Sequence, residues 1–182
     1  TLRGMVSAAL ACVDVVAAQS QADAARYRLI GAWPDRVLVC GNLKYDMAVP
    51  AAALAARDGL REHWGESRPV WIAASTHEGE EQAVLEAQLA VLRQCPEALL
   101  LSAARHPERF RPVELAVRGM GFVAGSHSVD GRPAPFQQVF VIDAMGQLMP
   151  YFAAAGVAFV GGSLVPIGGH NVLEPAALGT PV

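Results

Sequence analysis

Charge is scarce in this chain: of 182 residues only 17% are charged against 53% hydrophobic, and the net charge is −3. That slightly acidic balance argues against a nucleic-acid-binding surface. Cysteine is scarcer still. Cys12, Cys40 and Cys95 are odd in number, widely spaced and without a C-x-x-C pair, so they read as reduced cytosolic thiols and not as a disulfide frame or zinc site. His63, His77, His106, His127 and His170 show no ligand spacing, and neither a metal nor a resident cofactor is expected. No P-loop, G-x-S-x-G elbow, internal repeat or cleavable signal peptide occurs. The longest uncharged stretch, residues 148–169, matches a membrane span in length, but Pro150, Pro166 and two glycine pairs interrupt it.

What is abundant is Ala and Val in short runs, which suits a parallel sheet covered on both faces. Strands are expected at 13–18, 36–40, 70–74, 98–103, 122–124, 139–142 and 157–160. Helices are expected at 23–29, 52–64, 78–94, 112–118 and 146–155, with 126–136 a polar loop. The alternation is the α/β signature: a Rossmann-like, doubly wound parallel sheet. The βα-repeating unit runs from about residue 52 to the end, after a shorter βαβ piece and a connector over residues 44–51. Both ends read as cut: the chain opens inside a helical stretch, and Thr180–Pro181–Val182 approaches a strand that does not follow. The expectation is a piece of a larger protein, with the second domain incomplete at its C-terminus.

In open α/β sheets, ligands collect beyond the carboxyl ends of the strands, and four polar motifs fall there. The first is Ser75, Thr76, His77 and the acids after them. Ser75 and Glu78 have capping-box spacing, so this motif also reads as an ordinary helix start, although His77 fits that role less naturally. The second is Arg105, His106 and Pro107. Pro107 opens a helical turn, and the guanidinium of Arg105 suits a two-pronged clamp on phosphate or carboxylate, or else a surface pair with Glu108. The third is Met145 and Gly146, where glycine permits close backbone approach and methionine suits either a planar base or core filling.

The fourth is the most informative. After the strand at 157–160 come Gly161–Gly162, Ser163, Gly168–Gly169, and then a helix expected to begin at Asn171 with Glu174 in its first turn. Glycine pairs let a bulky ligand reach main-chain N–H groups, and a helix N-terminus favours a phosphate. Glu174 suits sugar hydroxyls. The same pattern also describes a plain strand–loop–helix connection.

Taken together, these motifs resemble the 3-deoxy-D-manno-octulosonic acid (Kdo) transferases of lipopolysaccharide synthesis, glycosyltransferases with two Rossmann-like domains (the GT-B type). The resemblance runs through residues 41–46 (GNLKYD), 74–81 (ASTHEGEE), 105–110 (RHPERF), Met145–Gly146, 159–164 (FVGGSL) and 168–174. Ala104 stands where Pro is expected, and Gln147 where Glu is usual. The resemblance implies an inverting transfer of Kdo from CMP-Kdo to a lipid A precursor at the cytoplasmic face of the bacterial inner membrane. Membrane anchoring and the catalytic base would belong to an N-terminal region mostly outside this chain. It assigns 1–45 to the end of the acceptor domain and 46–182 to the donor domain, with no catalytic residue in the chain. The donor-binding set it implies is Ser75, Thr76, His77, Arg105, His106, Pro107, Met145, Gly146, Gly162, Ser163, Gly169, Asn171 and Glu174. A GT-B enzyme using a UDP-sugar and a non-catalytic nucleotide-binding module are the alternatives.

Overall fold

The computed structural model describes residues 2–182 and divides between Met47 and Ala48, two residues beyond the expected boundary. The first unit holds α1 (Leu2–Ala11), β1 (Val16–Ala18), α2 (Gln21–Leu29) and β2 (Val37–Val39). β1 and β2 pair in parallel with Val16 opposite Val37, and a small core of Ala18, Ala24, Ala32 and Val37 lies under α2. Ser20 starts α2 by accepting from the Asp23 N–H at 3.1 Å.

The second unit begins with α3 (Ala51–Trp64), β3 (Val70–Thr76), α4 (Glu80–Leu92), β4 (Leu99–Ala104) and α5 (Phe110–Gly119). It continues with β5 (Ala124–Ser126), α6 (His127–Asp130), β6 (Val139–Val141), α7 (Leu148–Ala154), β7 (Val157–Val160) and α8 (Leu173–Ala177). Its sheet is parallel throughout, in the order β5-β6-β4-β3-β7. Chain order runs outward from β3 through β4 on one side and jumps to β7 on the other, so the crevice of an open α/β sheet belongs at the carboxyl end of β3.

Side-chain alternation builds two cores. Ile72, Ala74, Leu99, Leu101 and Phe140 face α3 and α7, with Trp64, Tyr151 and Phe152 from those helices. Ala73, Leu100, Val139 and Val141 face α4 and α5, where Val84, Leu85, Val113 and Val117 meet them. A sheet covered on both faces explains the near-continuous apolar strands. Gln88, buried between the layers, is fully paired: it accepts from Trp71 Nε1 at 2.7 Å and donates to the carbonyls of Ala98 and Gln138. Arg68 donates to the carbonyls of Glu97, Ala134 and Gln137, tying the entry of β3 to the loop before β6.

Several boundaries shift, β1 starting at Val16 and α7 at Leu148 among them, and three of the differences have a visible cause. β5 starts at Ala124 and not at Phe122, because Gln138 occupies Val123 from both sides, its N–H donating to the Val123 carbonyl and its Oε1 accepting from the Val123 N–H. The expected loop after it contains α6, whose first-turn donors are met by carboxylates: the Ser126 N–H by Asp130 and the Ser128 N–H by Asp143. α4 begins at Glu80 and not at Glu78, with Gly79 as its N-cap residue.

The break before α4 starts inside β3. Pairing with β4 skips a residue between Ala74 and Thr76, and the residue left over, Ser75, has φ of +56°. A bulge with a non-glycine residue in the left-handed region holds backbone strain of about 1–3 kcal/mol, and such strain gathers at functional sites.

Candidate functional site

A cavity of about 390 Å³ opens at the predicted switch point, lined by Ser75, Arg105, Gly146, Leu148, Met149, Phe152, Val160, His170, Asn171 and Glu174. Four of the five strands contribute walls at their carboxyl ends. Ser75 comes from the bulge of β3, Arg105 from the residue after β4, and Gly146 from the loop after β6. His170, Asn171 and Glu174 come from the loop after β7 and the first turn of α8. Leu148, Met149, Phe152 and Val160 form an apolar patch beside these polar groups. A cavity of this size, with an apolar patch beside several convergent polar groups, suits a small-molecule ligand.

Arg105 is held by its backbone, whose N–H donates to the Thr76 carbonyl at 2.9 Å. Among the described residues its guanidinium makes no ion pair; the expected alternative, a pair with Glu108, does not form. Glu78 and Glu81 are taken by Arg109, which grips Glu81 in two-pronged fashion and reaches Glu78 at 3.5 Å. Arg105 is thereby left facing the cavity.

The glycine-rich turn differs from its sequence reading, and the reason is Glu80. Glu80 is fully buried, and its Oε1 accepts from the N–H groups of Gly162, Ser163 and Leu164 at 2.9, 3.1 and 3.0 Å. Its Oε2 accepts from Gly162 at 2.9 Å and from the His77 N–H at 3.0 Å. Burial pushes the Glu80 carboxyl up, but the amides of Gly162, Leu164, His77 and Ser163 outweigh it and hold the group below the usual carboxylate range. The N–H groups of Gly162 and Ser163, expected to meet a ligand, therefore bind the protein's own carboxylate. The capping box of Ser75 and Glu78 is also corrected: Glu80 makes the reach-back contact, and Glu78 is exposed.

The glycines serve this packing. A Cβ on Gly161 would lie 2.7 Å from the Ser75 carbonyl carbon and 2.8 Å from Glu80 Oε2; one on Gly162, at φ +82°, would lie 2.9 Å from the Gly168 carbonyl oxygen. Gly161→Ala is expected to destabilise the second unit by about 1–3 kcal/mol through forced backbone shifts. A denaturation midpoint unchanged from the parent would contradict that.

Three histidines close one rim. His77 and His170 stack with ring centroids 4.8 Å apart and their Nε2 atoms at 2.5 Å, and His106 meets His77 edge-on at 5.4 Å. Burial, and then the neighbouring His77 and Arg105, push His170 below the ordinary histidine value; Glu80 opposes this and His106 adds to it.

Of the expected set, the cavity brings together Ser75, Arg105, Gly146, Asn171 and Glu174. Asn171 is not the N-cap of α8, which starts at Leu173, but its Oδ1 accepts from the Leu173 N–H at 3.0 Å. Gly146 likewise precedes α7 by two residues. His77 and His106 stand at the rim, and Pro107 opens a 3-10 turn as expected. Thr76 is not among the lining residues: it is buried at the end of β3, its hydroxyl without a partner among the described residues. Met145 is 58% exposed and fills no core, and Met149 lines the wall in its place. Gly169 is not among the lining residues. His170, Phe152 and Glu80 were not in the expected set. His170 carried a signal in its place between the glycine pairs and Asn171, whereas Glu80 read only as a first-turn acid.

A parallel α/β unit whose switch-point crevice brings Arg105 and Glu174 together beside an apolar patch has the architecture of a GT-B glycosyltransferase domain. The model of the family described as 3-Deoxy-D-manno-octulosonic-acid transferase (kdotransferase) matches residues 1–47, the extent of the first unit. Over 93% of its length the chain is 41% identical to the 3-deoxy-D-manno-octulosonic acid transferase of Haemophilus influenzae, of which it covers 40%. Over 96% of its length it is 39% identical to that of Bordetella pertussis, covering 41%. The crystal structure of the C-terminal CMP-Kdo binding domain of WaaA from Acinetobacter baumannii aligns with 72% of this chain and 69% of that one, with TM-score 0.69 and 36% identity. The chain belongs to the Kdo transferase family and spans about two fifths of the length of the curated relatives it matches.

Proposed function

We propose that the second unit binds CMP-Kdo and supplies the donor side of an inverting glycosyltransferase that moves Kdo to a lipid A precursor and releases CMP. The observation that carries this is the cavity in which Arg105 and Glu174 converge at the switch point of the sheet. The likeness to a CMP-Kdo binding domain supports the choice of nucleotide. Cleavage of the glycosidic bond leaves growing negative charge on the CMP phosphate. Arg105 stabilises that charge by a charge-assisted contact, with backbone N–H groups at Gly146 and Asn171 beside it. Glu174 accepts from the ribose hydroxyls, and the Leu148–Met149–Phe152 patch takes the apolar face of the base. The first unit is the end of the acceptor-side domain. The acceptor proton is taken by a carboxylate of that domain, and action at the cytoplasmic face of the inner membrane follows from the lipid acceptor. Among the described residues no helix is long and apolar enough to cross a membrane.

Calorimetric titration with CMP and UDP tests the reading. CMP is expected to bind at least about tenfold more tightly, a difference of roughly 1.4 kcal/mol. Glu174→Gln is expected to weaken CMP more than a 2′,3′-dideoxy analogue. Preference for UDP would overturn the donor assignment, and binding of neither would overturn the donor-site reading. Equal losses for CMP and the analogue would make Glu174 purely structural.

A further inference from the structure

We propose that the His77–His170 pair is a proton-accepting anion contact of this site, so that an anionic ligand binds together with one proton from solvent. The inference rests on the donor-site reading above and adds a role for His170. With the two Nε2 atoms at 2.5 Å, only one hydrogen fits between them: one ring donates and the other accepts. A second hydrogen in that gap is excluded, so the pair takes up at most one further proton, entering at Nδ1 of the donating ring. The pair thus has two states, neutral and singly positive.

The surroundings decide between them. His106 meets His77 edge-on, Arg105 lines the same cavity as His170, and both disfavour a further positive charge. The carboxylate of Glu80 favours it but is engaged by four backbone amides. Glu174, from α8, is the remaining carboxylate in the cavity wall, and Glu78 and Glu81 are held by Arg109. Burial adds to the bias, keeping His170 neutral at neutral pH. An anion seated against Arg105 removes the repulsion and adds an attraction. An opposite charge within about 4–6 Å favours the charged form of a histidine, so a seated anion draws the pair toward its singly positive state. The anion is a phosphate or a carboxylate, and the proposed donor carries both.

The test is CMP binding by the protein at about pH 7.5, measured by calorimetry in buffers of different ionisation enthalpy. A phosphate monoester, with its second pKa near about 6, is a dianion at this pH, and the Arg105 guanidinium in the same cavity keeps it so, which leaves uptake to the protein. The expected result is uptake of about half a proton or more per CMP bound, and none with neutral cytidine. The same titration with free Kdo separates the sources: uptake with CMP assigns the phosphate to the pair, and uptake with Kdo alone assigns the carboxylate. His170→Gln and His77→Gln are each expected to lower the uptake at least about threefold while CMP still binds. Where a variant fails to fold, histidine 15N shifts of the parent protein decide, because the pair must change protonation on ligand addition. Binding of CMP and Kdo with no buffer dependence would overturn the proposal and leave the donor site standing, as would undiminished uptake in both variants. Absence of any binding would overturn the donor site and this proposal together.

Discussion

Glu80→Gln is expected to lower the stability of the second unit by about 3–5 kcal/mol, because buried donors left without a charged acceptor each cost roughly 1–3 kcal/mol. The substitution keeps volume and removes charge. A carboxylate that meets Gly162, Ser163, Leu164 and His77 is replaced by an amide with one acceptor oxygen and an NH2 turned toward other donors. The loss is read from chemical denaturation as a lower midpoint at unchanged slope. CMP affinity is expected to fall as well, since the same carboxylate ties the loop of His77 to the loop leading to His170. The pH dependence identifies the group. The folded Glu80 carboxyl titrates below its ordinary value, so the unfolded chain binds more protons between the two. Its contribution is complete above the ordinary carboxylate value and disappears as pH falls through the folded one. That acid-side step should vanish in Glu80→Gln. A variant with the parent's midpoint and the parent's affinity for CMP would show that the carboxylate does not hold these loops.

Arg105→Ala is expected to weaken CMP binding by about 2–4 kcal/mol, roughly 30- to 1,000-fold in Kd. The effect is large because the guanidinium lines the cavity and has no carboxylate partner among the described residues, so its charge is available to a ligand. Arg105→Lys should recover only part of the loss, since an ammonium makes a point contact where a guanidinium makes two parallel ones. Because no internal ion pair is broken, stability should change little. Unchanged CMP affinity in Arg105→Ala would remove Arg105 from the phosphate site.

The α/β class and the parallel sheet were readable from apolar runs bounded by Gly and Pro, and β7 lies where Val157–Val160 was expected. Boundaries moved where distant partners decide them. β5 slips by two residues because Gln138 takes both polar groups of Val123, and α4 starts late because Ser75 is left over from the pairing of β3 with β4. The cavity residues Ser75, Arg105, Gly146, Asn171 and Glu174 could be anticipated because each comes after the end of an expected strand, although Ser75 proves to lie in a bulge within β3. Glu80 could not. Its partners Gly162, Ser163 and Leu164 lie more than 80 residues away, and no local pattern separates it from the neighbouring acids Glu78 and Glu81.

The parallel sheet has a consequence for the order in which the molecule assembles. Parallel strands cannot be joined by tight hairpins, so every pairing waits for a crossover of intervening chain to close. The walls of the crevice are contributed from Ser75 to Glu174, and β7, late in the chain, must dock beside β3 before His170 and Glu174 arrive. The cavity is therefore among the last features to form and among the first lost when any crossover opens. Nucleotide added during refolding should leave the early phases unchanged and slow unfolding, because only the completed sheet can hold it.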